Sequence, residues 1–374
     1  MTGLRTALEL LRKNISVILR SSQTPLHPST CSMGAGGLWM PYKCNNDPRI
    51  DKWSLETLDE LLHNSTYTKD YPVEIVPTLY LTSSHRGPSI DDYVSTDSIN
   101  TNKNSLPEWT KDTRLSFQHL TIEMLWWQNQ IFNLRIPSEK VLLEAGYTHA
   151  WLFHPPIVDP PRMLKLMMEE IQNHPLMDEN SIDMDTTYQS LPAMVNDAKD
   201  LGCDAVVNCT GLGAAKLCGD STLFGGRGAL LHYDRSCERV NNCNIDGRTL
   251  EQDTCILTEE GDWGTSTEPC YLIPRGNVLV VGGSYKERDE GKVIGDDERK
   301  RLRGNAWKMG INTEIADTVN EWIGWRPCRP NVRVEVDSTS KDSAIRVVHS
   351  YGVGGSGWTV FSGVAKETVR LLQQ

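Results

Sequence analysis

Three stretches of the sequence predict an α/β fold, α+β overall, organised on parallel strands. The chain opens with an amphipathic helix and a short apolar run. A buried-strand pattern at residues 205–208 runs into Cys209-Thr210-Gly211-Leu212-Gly213. The chain closes on an apolar strand, the turn Gly352-Val353-Gly354-Gly355-Ser356-Gly357 and a helix. Each is part of a βαβ unit, where ligands sit beyond the carboxyl ends of the strands. A length of 374 residues suits two domains, here expected to interleave.

The opening helix rests on Leu4, Ala7, Leu8 and Leu11 at helical spacing. Arg5, Glu9, Arg12 and Lys13 fall on its other side, and Asn14 is its stop. Ser16-Val17-Ile18-Leu19 then reads as a short buried strand. Helix followed by strand is half of a βαβ unit. Gly3 stands where the third glycine of a G-x-G-x-x-G turn belongs, so the preceding strand and the first two glycines would lie before Met1. The expectation is a sheet that lacks a central strand, through truncation or a mis-assigned start.

Residues 21–42 are rich in Ser, Thr, Pro and Gly and read as a loop. Ser29, Thr30 and Ser32 offer hydroxyls, and Gly34-Ala35-Gly36-Gly37 offers bare backbone for phosphate or ring contacts. Residues 92–109 read as a polar surface excursion. Residues 120–134, with Trp126 and Trp127, read as core, and 161–171 as an amphipathic helix. Val278-Leu279-Val280-Val281 reads as a strand ending at Gly282-Gly283. Val332, Val334 and Val336 alternate with Arg333 and Glu335 as a half-buried strand. Another strand at 345–349 leads through the glycine turn to a helix over about 359–372. His349, at the end of a buried strand, reads as a hydrogen-bonded structural histidine.

Composition narrows the function. Apolar residues make up 39% and charged residues 23%, an ordinary globular profile. A net charge of −11 argues against nucleic acid or an anionic membrane as partner. No apolar run reaches the roughly 18 residues of a spanning helix. The first residues lack a signal-peptide pattern, so a reducing, cytoplasmic compartment is expected. Cys237, Cys243, Cys255 and Cys270 lack paired C-x-x-C spacing. They read as free thiols, with no metal site.

The closing block Val347-Val348-His349-Ser350-Tyr351-Gly352-Val353-Gly354-Gly355-Ser356-Gly357, continuing to Gly363 and Ala365, resembles the signature of the D-amino acid oxidase and D-aspartate oxidase family. Further blocks fall in the family's order: Thr24-Pro25-Leu26, residues 37–42, Asn208-Cys209-Thr210-Gly211 with Gly226-Arg227-Gly228, Tyr271-Leu272-Ile273-Pro274 with Gly282-Gly283, and Gly324-Trp325-Arg326-Pro327-Cys328-Arg329-Pro330. Ser350 departs mildly from the family pattern. The resemblance implies a Rossmann-like FAD-binding domain formed by residues 1–42, 147–221 and 328–374. It also implies a mixed-sheet substrate and interface domain formed by 43–146 and 222–327.

The resemblance implies FAD as cofactor, a D-amino acid and molecular oxygen as small-molecule reactants, and room for a homodimer. The products would be a 2-oxo acid, ammonia and hydrogen peroxide. Arg326 matches the position that grips the substrate carboxylate, a role suited to a planar two-donor guanidinium. Tyr271 matches a tyrosine whose hydroxyl reaches the same carboxylate. Gly355 matches the residue whose carbonyl receives the substrate amine. FAD would be held by Gly3, Ser29, Thr30, Ser32, Gly36, Gly37, Leu38, Thr210, Gly211, Gly324, Gly354, Gly355, Ser356, Gly357, Trp358 and Thr359, with the Thr359 hydroxyl as a donor. The closing helix would point its N-terminus at the flavin. Arg20 or Ser21 falls where an acidic ribose partner is expected, a departure from the pattern. No tyrosine occurs between Trp263 and Cys270, where relatives often have a second one. The family's peroxisomal setting finds no support in Leu372-Gln373-Gln374, which is not a Ser-Lys-Leu-type address.

Leu38 and Met40 make the pocket wall apolar and favour neutral substrates. The alternatives are a D-aspartate oxidase, with Arg248 or Arg275 as second cation, and a non-catalytic fragment with impaired FAD binding.

Overall fold

A computed structural model describes residues 1–41, 47–83, 106–132, 134–235, 253–265, 267–313, 318–340 and 344–374. Its strands are β1 (Leu19–Arg20), β2 (Val73–Ile75), β3 (Thr78–Thr82), β4 (Gln118–Thr121), β5 (His149–Phe153), β6 (Pro156–Val158), β7 (Ile182–Asp183) and β8 (Ala205–Asn208). There follow β9 (Phe224–Asp234), β10 (Cys255–Thr258), β11 (Cys270–Arg275), β12 (Val278–Gly282), β13 (Lys286–Glu287), β14 (Thr318–Val336) and β15 (Arg346–Val353). One mixed sheet runs in the order β4-β5-β3-β10-β11-β12-β9-β14-β15-β8, with β13 added on β9. Within it β10 is parallel to β3 and β8 to β15.

Strand alternation divides the core. Leu79, Leu152, Ile256, Leu272, Val281 and Leu231 turn to one face, where they pack with Leu302 and Ala306 of the helix Asp296–Lys308. Tyr80, Trp151, Leu257, Ile273, Val280, Leu230 and Trp322 turn to the other, toward the first helix and the helix Pro160–Gln172. The second face carries the cavity described below.

The opening helix, Thr2–Leu11, buries Leu4, Ala7, Leu8 and Leu11 as its spacing predicts. Asn14 follows in the left-handed region at φ 57°. Arg5, expected on the polar side, is buried instead. Glu9 and Glu60 both accept from its guanidinium, which supplies the counter-charge such burial requires. Glu60 in turn accepts from Ser362 of the closing helix Gly357–Leu372. One charged knot thus ties three helices together.

The expected strand at 16–19 is displaced to Leu19–Arg20 and is only half-buried. It pairs with β7 alone, in a two-stranded sheet of its own, and β8 is the last strand of the large sheet. Residues 15–20 and 204–207 both line one cavity. Among the described residues no strand joins β1 to β8.

Two core assignments need correction. Trp127 is 69% exposed on the helix Ile122–Phe132, whereas Trp109, at the end of the stretch read as surface, is fully buried against Trp39, Phe117, Trp151 and Phe153. Composition identified an apolar segment and could not say which side of a helix would face water. Tyr42, residues 92–105, Cys237, Cys243 and Arg248 lie outside the described residues.

Candidate active site

The sheet face that bears the site has a floor of glycine. Cross-strand neighbours lie close enough that a flat side chain from one strand covers the backbone of the next. The Tyr271 ring lies over Gly282 and Gly283, where a β-carbon would stand 2.1 and 2.5 Å from it. The Trp322 ring lies between Gly34 and Gly324, with corresponding distances of 2.1 and 1.9 Å. The Arg326 guanidinium lies over Gly228, where a β-carbon would stand 2.6 Å from Nη1. Glycine at these positions makes room for the three side chains.

Arg326 is held by this packing and by its bonds. Nη1 donates to the Ser284 carbonyl at 3.1 Å, and the guanidinium charge acts on the Tyr271 hydroxyl. Burial pushes the Tyr271 hydroxyl pKa up, with Arg326 opposing that rise. A β-carbon on Gly355 would lie 3.5 Å from Arg326 Cδ. The structure therefore brings Arg326, Tyr271 and Gly355, from three distant sequence blocks, to one place.

These three line a cavity of about 1750 Å³. That exceeds the roughly 300–1,000 Å³ of a pocket for one small ligand and leaves room for a dinucleotide beside a substrate. The rest of its wall includes Gly3, Ser29, Thr30, Ser32, Gly36, Gly37, Leu38, Thr210, Gly211, Gly324, Gly354, Gly357, Trp358 and Thr359. Both the opening helix and the closing helix start on it, and neither has a side-chain cap. Their first backbone N–H groups and dipoles suit anionic groups. Gly37 has φ 81°, and a β-carbon there would stand 2.0 Å from the Val158 carbonyl oxygen, so the chain approaches this close only as glycine. Gly3 packs on Cys209, with 3.4 Å from its would-be β-carbon to Cys209 Cβ.

A buried relay fixes the turn after β8. Asn208 Oδ1 accepts from the Thr210 backbone N–H at 3.1 Å and from its hydroxyl at 2.7 Å. Asn208 Nδ2 meets His349 Nδ1 at 3.2 Å, and His349 Nε2 meets Asp337 Oδ2 at 2.8 Å. Burial lowers the His349 pKa while Asp337 opposes the shift. His349 has the structural role its sequence position predicts.

Several expected cofactor contacts are spent elsewhere. The Thr359 hydroxyl donates to the Met40 carbonyl at 3.0 Å and lies 3.3 Å from the Met40 N–H, tethering the closing helix to the glycine loop. Ser29 bonds Gln23 and His27, and the Thr30 hydroxyl bonds the Pro25 and His27 carbonyls, so both close their own loop. Ser356 is buried outside the cavity wall, in the 3-10 turn that starts the helix. Arg20 bonds Asp183 on β7 at 2.8 Å. Arg275 is buried and does not reach the cavity.

Tyr285 and Glu259 are among the wall residues that the sequence did not single out. Tyr285 follows the glycine pair at the end of β12. Its hydroxyl lies 3.2 Å from Glu287 Oε1 and 3.7 Å from Cys328 Sγ. Glu259 lies one residue past β10, and the Leu257, Glu259 alternation could have placed it on the site face.

The residues present fit a flavin dinucleotide: two uncapped helix starts, a glycine loop admitting close approach, and a cavity of sufficient size. The comparisons agree. The model of a family described as FAD dependent oxidoreductase matches residues 1–371. A D-amino-acid oxidase of Dictyostelium discoideum is 26% identical over 385 residues, covering 100% of this chain and 89% of that protein. A D-aspartate oxidase of Homo sapiens is 28% identical over 172 residues, covering 46% of this chain and 44% of that protein. Among solved structures, glycine oxidase from Bacillus cereus superposes with a TM-score of 0.67 at 13% identity, covering 100% of this chain and 95% of that one, which shows a shared fold. The chain belongs to the family of FAD-dependent oxidoreductases that includes the D-amino acid oxidases.

Proposed function

We propose that this chain oxidises D-amino acids, converting substrate, oxygen and water into a 2-oxo acid, ammonia and hydrogen peroxide. The observation that carries the reading is the meeting of Arg326, Tyr271 and Gly355 in one cavity wall. Bound FAD supplies a two-electron acceptor for the substrate α-carbon. The chain supplies position. Arg326 and the Tyr271 hydroxyl bind the α-carboxylate, and the Gly355 carbonyl accepts from the α-amine. Two anchored groups fix which hydrogen on the α-carbon faces the cofactor, and orientation of this kind accounts for several kcal/mol of rate acceleration. No residue of this chain is assigned as a general base. Similarity to the Dictyostelium D-amino-acid oxidase over the whole chain supports the D series.

Similarity to human D-aspartate oxidase raises the acidic branch. That branch needs a second cation near the substrate. Arg275 lies away from the cavity, and Arg20 is paired with Asp183. Among the described residues the wall has no arginine beside Arg326 other than the paired Arg20, which favours substrates with a single carboxylate. The test is peroxide release from a panel of D- and L-amino acids by FAD-loaded protein. Turnover confined to the D series is expected, and turnover of L-amino acids or of none removes the reading.

A further inference from the structure

The parallel pairing of β8 with β15 sets Asn208 directly beside His349. Both side chains are fully buried, whereas Thr210 is exposed and lines the cavity with Gly211. Gly211 has φ 55°, and the Gly213 N–H donates to the Thr210 carbonyl at 3.0 Å, so a tight turn follows the strand. A buried amide thus stands behind backbone that faces the cofactor cavity.

Hydrogen-bonding capacity fixes how that amide is turned. A backbone N–H only donates, so the group that meets the Thr210 N–H is the Asn208 oxygen. Oδ1 accepts that bond and a second one from the Thr210 hydroxyl. Nδ2 then has its hydrogens for Cys218 Sγ at 3.1 Å and His349 Nδ1 at 3.2 Å. It follows that His349 Nδ1 is a bare acceptor. The ring proton is on Nε2, which donates to Asp337 Oδ2 at 2.8 Å.

We propose that His349 is a positioning residue for the cofactor: its neutral ring, accepting at Nδ1, keeps the Asn208 oxygen turned to the Thr210–Gly211 turn, and protonation of that ring loosens FAD. The inference rests on FAD as cofactor and not on the choice of substrate. A proton on Nδ1 would set N–H against N–H. Turning the amide over relieves that conflict but brings Nδ2 to the Thr210 N–H, donor against donor. The Thr210 hydroxyl can rotate to accept; its backbone N–H cannot, so the turn loses its anchor.

The groups around the ring are Asp337, Arg333 and Glu335 of β14, Cys218 beyond β8, and Tyr351 on its own strand. Arg333 also lies near Asp220 and bonds the Tyr351 hydroxyl. Burial and Arg333 disfavour the protonated ring, Asp337 and Glu335 favour it, and the balance leaves the His349 pKa below the ordinary histidine value. FAD affinity therefore falls as pH drops through that pKa.

The test is titration of the cofactor-free protein with FAD, followed by flavin fluorescence, at about pH 7.5 and about pH 5, which bracket a lowered histidine pKa. The wild-type Kd should rise about tenfold at the lower pH, as for one buried N–H left unsatisfied. Asn208→Asp presents oxygen to Thr210 and to His349 whatever the charge of the ring, so its Kd should change less than about threefold between the same conditions. His349→Asn keeps an acceptor at the depth of Nδ1 and does not titrate. It should match wild type at the higher pH and hold that affinity at the lower. A wild-type Kd that does not respond to pH, or a variant that weakens in acid as the wild type does, overturns the inference. Should neither variant fold, nitrogen NMR of wild-type protein labelled in histidine decides it: a His349 Nδ1 that carries a proton at the higher pH overturns the inference, and a bare Nδ1 upholds it.

Discussion

Replacing Arg326 with leucine removes the one side chain that joins the anchor residues. In the structure its guanidinium bonds the Ser284 carbonyl, acts on the Tyr271 hydroxyl through its charge and lies over Gly228. A substrate carboxylate entering this wall without Arg326 would be desolvated and lack its counter-charge. Breaking a buried pair of this kind costs about 3–5 kcal/mol, which at about 1.4 kcal/mol per decade is roughly two to nearly four decades in kcat/KM. The loss should fall mainly on KM, because the missing interaction is made in the ground state as well. Arg326→Lys keeps the charge and loses the two-donor fork, so it should lie between the two. The assay is peroxide-coupled kinetics with D-alanine, after flavin content and melting temperature show that each variant is folded and loaded. A loaded Arg326→Leu protein with kcat/KM within threefold of wild type would refute the reasoning.

Three other perturbations follow from the same geometry. Gly228→Ala puts a methyl where the guanidinium lies, and because that guanidinium ends a flexible side chain the fold should survive while Arg326 shifts; kcat/KM should drop by about 10²-fold, and unchanged kinetics would show that the glycine is incidental. Gly37→Ala forces a side chain into positive φ and onto the Val158 carbonyl, so the variant should melt earlier and lose FAD on gel filtration, whereas wild-type retention would remove the loop from the cofactor site. Asp220 is buried, which by itself raises its pKa, but Thr222, Tyr351 and Arg329 bond it and hold it down at about 2. Its native value lies below its unfolded one, so it contributes about 2 kcal/mol of stability above pH 4 that is lost as pH falls from about 4 to 2. The stability gap between wild type and Asp220→Asn should therefore narrow from pH 6 to pH 2.5 in denaturant titrations, and a gap that stays constant would contradict it.

The parts of the fold legible in the sequence were those governed by period and by glycine. Leu4, Ala7, Leu8 and Leu11 marked a helical face, Val332, Val334 and Val336 marked a strand, and Gly352 to Gly357 marked the last turn. The full extent of β14 was hidden. Residues 322–330 carry two tryptophans, a glycine and two prolines, which break any alternation and argue against a strand interior. In the fold, β14 pairs with β9 as far as Cys328, and regular pairing with β15 begins only at Arg333. Pro330 stands at this exchange of partners, between Cys328 and Arg333, whereas Pro327 lies within the β9 ladder opposite Gly225. Arg326, Tyr271 and Gly355 were legible as candidate anchors because each sits in a distinctive block. Tyr285, Glu259 and the buried Arg5 were not, because their positions depend on which strand or helix packs beside them. Thr359, Ser29 and Thr30 had the right chemistry for cofactor contacts, yet the Met40 carbonyl takes the Thr359 hydroxyl and local carbonyls and side chains take those of Ser29 and Thr30.

The central claim is that this wall presents a D-amino acid to bound FAD. It is tested most directly by mixing FAD-loaded protein, free of oxygen, with D-alanine and with L-alanine in parallel and following the yellow absorbance of the flavin. The account predicts prompt bleaching by the D enantiomer alone, abolished or greatly slowed in Arg326→Leu. Equal bleaching by both enantiomers, or none by either in a fully loaded protein, would contradict it.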